Sequence, residues 1–255
     1  MKKIIEEAKK ELENRGYVCD TVEVFKDGIY KTGISVRRTA DEIVGVNIYP
    51  DETTPVGEQI NKFIECYKNT QIDFEPANLL RWNEVKKNVI LQVHRKYNRS
   101  VIPAWDFADL EVTARVIVAE DAGQIATMEV SDNELHVWGI SKEELYKTAL
   151  KNTEERVRII AMFGDMFAVT NKSRVHGAAS VLCESVIGEL KNIFGNRFVL
   201  IPSSVHEFLA VAYNSEMQLS EYSDMVKEVN ATAVEAKDQL SDHAYLYDDG
   251  EILCI

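Results

Sequence analysis

The chain has 255 residues, 45% of them hydrophobic, and is therefore long enough to bury one large core or two smaller ones. Its formal net charge of −13 disfavours binding to duplex nucleic acid, because a phosphate-binding surface needs an excess of lysine and arginine. No apolar run approaches the roughly 18 residues of a membrane span, and the polar N-terminus does not resemble a secretory signal, so we expect a cytoplasmic protein.

The N-terminal part of the chain predicts a small α+β arrangement. Residues 2–15 have the apolar spacing of an amphipathic helix. Strand-like runs follow at 21–25 and 29–37, joined by an Asp-Gly pair that is typical of a hairpin turn. A third strand is expected at 42–49, and Thr54-Pro55 then has the composition of a helix start.

The middle of the chain supplies the expected boundary between two halves. Residues 83–97 carry Val85, Val89 and Val93 at helical spacing, and we therefore predict a helix there. The following proline-containing segment, 101–105, is typical of a connection. We expect subdomains at 1–100 and 101–255, with one continuous domain as the alternative.

The C-terminal half predicts further hairpins and helices. Residues 110–119 alternate as a strand, and 126–130 with 134–138 suggest a hairpin around Ser131-Asp132-Asn133. Ser141 and Glu144 match a capping box, which predicts a helix from there to about residue 152.

The last hundred residues contain the element around which we expect the core to form. It is a strand–helix–strand unit with its helix over 178–194. The apolar face of that helix comprises Leu182, Val186, Ile187, Leu190, Ile193 and Phe194. Further expected elements are a strand at 207–213, a helix at 220–234 with Tyr222, Met225, Val226 and Val229 inward, and a terminal hairpin at 245–255. The sum is an α+β fold with mixed or antiparallel sheets and about five helices.

Several short segments carry a resemblance to a known family. They are 135–140 with 144–153, Thr170-Asn171 with His176-Gly177-Ala178-Ala179, residues 201–207, and 229–230 with 240–242; residues 86–98 and 109–110 fit more loosely. In these segments the chain resembles the bacterial domain of unknown function 5688. His176 departs from the pattern, which has tyrosine there. The resemblance implies a cytoplasmic bacterial accessory protein, such as one from a mobile element, and implies no activity.

Residues 202–207 place the side chains that could carry chemistry close together. Ser203, Ser204, His206 and Glu207 offer hydroxyl, imidazole and carboxylate groups, as a serine hydrolase requires. The competing interpretation is that Pro202 and the serines turn the chain while His206 and Glu207 bond to the backbone. No nucleophile elbow accompanies the serines, which favours the second interpretation.

The remaining residues predict neither a metal nor a cofactor site. Cys19, Cys66, Cys183 and Cys254 are far apart in sequence and lack histidines at ligand spacing. The basic cluster at 95–99 is interpreted as a solvated end of the expected helix. Residues 215–251 include ten acidic residues and only two lysines. This composition indicates a solvated acidic surface or one that mimics a nucleic-acid backbone.

Taken together, the sequence predicts a non-enzymatic module that binds another protein. The candidate binding residues are Asn171, His176, Ser204, His206 and Glu207. The alternatives are a hydrolase built on Ser203 or Ser204 with His206 and Glu207, and an acidic inhibitor that occupies a nucleic-acid channel.

Overall fold

A computed structural model describes residues 2–26, 29–42, 45–69, 76–97, 99–121 and 124–255. The chain divides into two compact units, Met1–Leu79 and Leu80–Ile255. Antiparallel sheets and helices occur in both units, which confirms the α+β class. The described residues form seven α-helices and three 3-10 helices, more than the five expected, and none of these helices is both long and apolar enough to cross a membrane.

The first unit is a three-stranded antiparallel sheet with two helices. The helices are α1 (Lys2–Asn14) and α2 (Val56–Asn69), and the strands are β1 (Val18–Lys26), β2 (Ile29–Arg37) and β3 (Val46–Ile48), in the order β1-β2-β3. Lys26 pairs with Ile29, which confirms the hairpin, although its Asp27-Gly28 turn lies outside the described residues. The third strand is shorter than predicted, and residues 43–44 also lie outside the described part.

The core of the first unit forms where one face of each helix meets the sheet. In α1 the buried positions Ile5, Ala8 and Leu12 recur every three or four residues, as one face of a helix requires. The complete buried cluster is Ile5, Ala8, Leu12, Cys19, Ile34, Val36, Ile60, Ile64 and Tyr67.

The second unit begins with a short helix and a four-stranded sheet. They are α3 (Trp82–Val85), a 3-10 turn, β4 (Val89–Arg95), β5 (Trp105–Phe107), β6 (Leu110–Asp121) and β7 (Gln124–Glu129). Strand β6 pairs with β4 on one side and with β5 and β7 on the other, all antiparallel. The expected boundary at 100/101 therefore lies in the connection between β4 and β5, two strands of one sheet.

The predicted helix over 83–97 is wrong for most of its length. Only residues 82–85 are α-helical, and β4 begins at Val89. Five of the seven β4 residues are buried, on both faces of the strand. A strand that is buried on both faces has a nearly continuous run of apolar residues. Some residues of such a run also fall at helical spacing, which is why a helix was predicted here.

The predicted strand at 134–138 is also wrong, because these residues belong to α4 (Asp132–Trp138). The Ser131 hydroxyl accepts a hydrogen bond from the backbone of Asn133, and the Glu134 carboxylate accepts one from the backbone of Ser131. This capping satisfies donors at the start of the helix. The next helix, α5 (Lys142–Glu154), begins after Ser141 as predicted.

A six-stranded antiparallel sheet forms the rest of the second unit. Its strands are β8 (Val157–Ala161), β9 (Met166–Asn171), β10 (Arg197–Ser204), β11 (Glu207–Ala212), β12 (Tyr245–Asp248) and β13 (Glu251–Cys254). Their order is β13-β12-β10-β11-β9-β8. The terminal hairpin β12–β13 is confirmed, with Tyr245 opposite Cys254.

The predicted helix over 178–194 is divided into two helices. A 3-10 helix, Gly177–Leu182, ends at Cys183, whose backbone is extended (φ −85°, ψ 131°), and α6 (Glu184–Phe194) follows. Strands β9 and β10 flank this segment but are not neighbours, since β11 lies between them. Val186 and Leu190 are buried as predicted, whereas Ile193 is 40% exposed.

Helices cover both faces of the six-stranded sheet. On one face the ring of Phe194 in α6 lies 5.6 Å from that of Phe167. On the other, α7 (Leu219–Thr232) packs Tyr222 and Val226 against Val199. The predicted inward positions Met225 and Val229 are instead about half exposed, so the inward face of α7 is narrower than expected.

The four cysteines fall into two classes. Cys19 and Cys183 are buried, and burial raises their pKa to about 11 and about 12. Cys66 in the first unit and Cys254 in the second are exposed.

We predict that Leu190→Ala lowers the free energy of unfolding by about 2–5 kcal/mol, because Leu190 is fully buried and its loss leaves a cavity. The matched control, Ile193→Ala on the exposed side of the same helix, should change it by about 0.5 kcal/mol or less. Urea denaturation of both variants measures the difference. Equal losses in the two would contradict the orientation of α6.

Candidate functional site

Three of the segments singled out in the sequence meet in the second unit. They are the end of β9 at Thr170-Asn171, the start of the 3-10 helix at His176-Gly177, and the turn between β10 and β11 at Val205-His206. We call this meeting point the junction. Backbone and side-chain hydrogen bonds join all three segments.

The junction depends on a close backbone approach at Gly177. A Cβ atom there would lie 2.3 Å from Thr170 Oγ1, 2.4 Å from the His206 carbonyl oxygen and 2.8 Å from the Asn171 nitrogen. The same Thr170 hydroxyl donates a 2.8 Å hydrogen bond to that carbonyl, and Ser180 Oγ donates one of 2.8 Å to the Thr170 carbonyl. Only glycine fits at this position without displacing these atoms.

His206 is held by both ring nitrogens. The backbone N–H of His176 donates to His206 Nδ1 at 3.2 Å, and His206 Nε2 lies 3.6 Å from Asp238 Oδ1. A neutral imidazole has one acceptor nitrogen, and here Nδ1 takes that role, so Nε2 carries the proton and faces the carboxylate. In this arrangement the ring has no nitrogen left to accept a proton from a serine.

The two serines likewise have partners other than an imidazole. Ser203 Oγ donates to Glu207 Oε1 at 3.2 Å. Ser204 Oγ accepts a 3.1 Å bond from the backbone N–H of His206, two residues later, as serines do in tight turns. These side chains are adjacent in the chain, but the hydroxyls and the imidazole are engaged with other groups.

His176 is a strained and desolvated residue of the junction. Its backbone is left-handed (φ 55°), which is uncommon for a residue other than glycine. Burial, reinforced by the nearby Arg115 guanidinium and by His206, lowers the pKa of His176 to about 3. Its buried Nδ1 has no hydrogen-bond partner among the described residues. The ring is therefore neutral at physiological pH.

Asn171 shapes the loop that follows β9. Its side-chain amide donates to the Val175 carbonyl at 2.8 Å, and its Oδ1 accepts from Ser173 Oγ at 3.0 Å. The backbone N–H of Arg174, itself left-handed at φ 56°, donates to the Asn171 carbonyl. Asn171 thus fixes the loop from Lys172 to Val175 from within.

This loop lies beside the outer strand of the six-stranded sheet. The backbone N–H of Lys172 donates to the Arg156 carbonyl, just before β8, at 2.9 Å. Lys172, Arg174 and, on β8, Arg158 are all exposed, and none forms an ion pair within the described ranges. In an acidic chain this is a local concentration of unpaired positive charge.

The hairpin between β8 and β9 exposes apolar groups at the other end of β8, since Val157 at the start of the strand pairs with Asn171 and Ala161 at its end pairs with Phe167. Phe163 is 100% exposed and Met162 is 49% exposed at the hairpin tip, where Gly164 adopts a positive φ of 72°. We call Arg158, Met162, Phe163, Lys172 and Arg174 the basic edge. This surface could not be predicted from the sequence, because neither an unpaired cation nor an exposed phenylalanine can be recognised without the fold.

The basic cluster singled out at 95–99 is different, because its cations are paired. Arg99 forms a bidentate contact with Glu129, at 2.5 and 2.7 Å. Arg95 lies 3.5 Å from Asp242, and Lys96 lies 2.6 Å from Asp106. These partners neutralise the cluster, while residue 98 lies outside the described part.

A surface cleft of about 420 Å³ lies between α6 and the hairpin β12–β13. Leu182, Ile187 and Lys191 line one side, and Tyr247 and Ile252 the other. Within the described part of the chain, no predicted catalytic or binding residue lines this cleft.

Comparison with known proteins identifies a family. A model of DUF5688, described as a family of unknown function, matches residues 1–163 and 158–249. The chain belongs to this family, as its short segments indicated. No curated protein and no solved structure matches it.

We predict that Gly177→Ala destabilises the protein by about 1–3 kcal/mol, because the new methyl group overpacks the junction. The control is Gly188→Ala in α6, where the added Cβ meets nothing within 4 Å. That change should stabilise by about 0.5–1 kcal/mol, since alanine favours the helix. Thermal unfolding of both variants measures the two changes in stability. An unchanged melting temperature in Gly177→Ala would contradict the close approach.

We also predict an acid sensitivity that originates at His176. Its pKa is about 3 in the folded protein and about 6.5 when unfolded, so below pH of about 6.5 the unfolded chain binds more protons. The free energy of unfolding should fall as the pH drops from about 6.5 towards 3, by at most about 1.4 kcal/mol per pH unit from this group. His176→Asn tolerates the left-handed backbone and should flatten the profile. Urea denaturation at a series of pH values measures this dependence. If the free energy of unfolding falls equally steeply with pH in the parent protein and in His176→Asn, His176 is not its origin.

Proposed function

We propose that the chain is a non-enzymatic protein-binding module and that the basic edge is its binding surface. The observation that carries this proposal is the complete exposure of Phe163 at the tip of the β8–β9 hairpin. Burying such a side chain in an interface would stabilise a complex by about 1.5–3 kcal/mol. Aromatic side chains of this kind are the common anchors of protein interfaces.

The position of β8 supports the proposal. It is the last strand in the order of the six-stranded sheet, so its outer backbone groups have no neighbouring strand in the described structure. An unpaired edge is a template for an added strand, and several classes of domain bind extended peptides in this way. We therefore infer that the partner presents an extended segment to β8.

The charges define the chemistry of that segment. Arg158, Lys172 and Arg174 lie on or beside the first residues of β8 and form no ion pairs among the described residues. An acidic partner segment would neutralise them, and complementary charge raises the rate and specificity of association. The partner proposed is thus a protein with an extended acidic segment that carries an apolar pocket or groove for Phe163.

The role of the junction in this proposal is positional. Asn171 holds the loop that displays Lys172 and Arg174, while His176, Ser204, His206 and Glu207 fix the segments on which that loop depends. In this proposal, the binding residues predicted from the sequence do not contact the partner but hold the loop that carries part of the basic edge. Among the described residues neither Ser203 nor Ser204 forms a hydrogen bond with the His206 ring, so no contact supports the hydrolase alternative. The inhibitor alternative depends on the acidic composition alone.

Site-specific photo-crosslinking tests the proposal. A benzophenone amino acid placed at position 163 should capture a protein partner in cells of the source organism, and one at Val101, 62% exposed in the same unit, should not. Capture at both positions alike, or binding to anionic vesicles instead of protein, would contradict it.

We predict that Phe163→Ser weakens binding to the captured partner by about 10- to 100-fold, as the loss of an aromatic anchor does. Val101→Ser is the matched control and should leave affinity unchanged. Both positions are exposed, so both variants should keep the melting temperature of the parent protein. Arg158→Glu should slow association and reduce its salt dependence. Unchanged binding by Phe163→Ser would exclude the basic edge as the interface.

A further inference from the structure

Three potential metal ligands that are remote in sequence meet at one end of the six-stranded sheet. One oxygen of Asp109, one ring nitrogen of His243 and Cys254 Sγ all lie within 4.8 Å of one another. Asp109 lies in the two-residue turn between β5 and β6, after Ala108 with its left-handed φ of 51°. His243 precedes β12, and Cys254 ends β13.

The sheet itself holds two of these residues together. Tyr245 of β12 pairs with Cys254 of β13, and the Ile255 N–H donates to the Ala244 carbonyl at 2.9 Å. His243 therefore directly precedes the pair formed by Ala244 and Ile255, and lies close to Cys254. Its backbone N–H also donates to Ser241 Oγ at 3.0 Å, which fixes the segment before the strand.

The carboxylate of Asp109 is oriented by neighbouring donors. Ser241 Oγ donates to its Oδ2 at 2.7 Å, and the Tyr245 hydroxyl donates to its Oδ1 at 2.5 Å. Each carboxylate oxygen has a second lone pair, so these bonds leave it able to bind a cation. Hydrogen bonds of this kind around a ligand are characteristic of metal sites, because they fix its orientation.

We propose that Asp109, His243 and Cys254 form a zinc-binding site with one open coordination position. A thiolate and an imidazole select zinc over calcium or magnesium, which prefer oxygen ligands throughout. Zn–S and Zn–N distances of about 2.3 and 2.0 Å place neighbouring ligand atoms roughly 3.5 Å apart in a tetrahedron. The side chains of His243 and Cys254 are exposed and can close the remaining distance to the Asp109 carboxylate by rotamer changes.

Proton release should accompany zinc binding at this site. Zinc binds the thiolate, so each ion must displace the thiol proton into solvent. Affinity should therefore rise with pH over the range in which the free thiol is protonated.

The test is a titration of the reduced full-length protein with zinc chloride in competition with a chromophoric chelator. We expect one zinc ion per chain, a higher affinity at pH 8 than at pH 6.5, and a loss of about tenfold or more in Cys254→Ser and in His243→Ala. Replacing zinc by cobalt should give a thiolate-to-metal absorption band that disappears in Cys254→Ser.

Cys66→Ser is the matched control, since Cys66 is the exposed thiol of the first unit and should not affect binding. Cys254 lies at an exposed edge, so its replacement by serine should leave the fold intact, and the melting temperature of the zinc-free variant checks this. No zinc binding by the parent protein would overturn the proposal, as would binding that depends on Cys66 and not on Cys254.

Discussion

The close approach at Gly177 is the constraint on which the rest of the second unit depends. Without a Cβ atom there, the 3-10 helix can start against Thr170 and the His206 carbonyl at once. This contact sets the positions of the end of β9, the β10–β11 turn and the loop after Asn171. Each hydrogen bond contributes about 1 kcal/mol, but the packing decides whether any of them can form.

How much of the fold could be predicted depended on whether the signal was local. The helix over 142–154 and the hairpin β12–β13 follow from a cap and from a turn, and both were predicted. Strand β4 was mistaken for a helix, because burial on both faces is a property of the assembled sheet. At 131–134 the same residues can form a turn or a helix cap, and the backbone donors of α4 select the cap.

The sequence alone indicates which side chains of the β10–β11 turn are neighbours, but not which atoms form hydrogen bonds. The sequence brought Ser203, Ser204, His206 and Glu207 together because they are adjacent in the chain. Which atoms bond was decided by the remote residues His176 and Asp238, whose positions follow only from the fold. The basic edge was not predictable for the same reason, since Phe163 has the sequence surroundings of a buried strand residue and becomes exposed only at the hairpin tip.

The burial of two of the four thiols has a consequence for how the chain can be labelled. Cys19 and Cys183 are inaccessible and, with pKa values of about 11 and about 12, hold little thiolate at neutral pH. Alkylating reagents attack accessible thiolates, so in the zinc-free protein they should react at the exposed Cys66 and Cys254 and not at the two buried thiols. One reactive thiol then falls in each compact unit of the natural sequence. A donor and an acceptor fluorophore attached there would report the distance between the two units directly, without a single engineered cysteine.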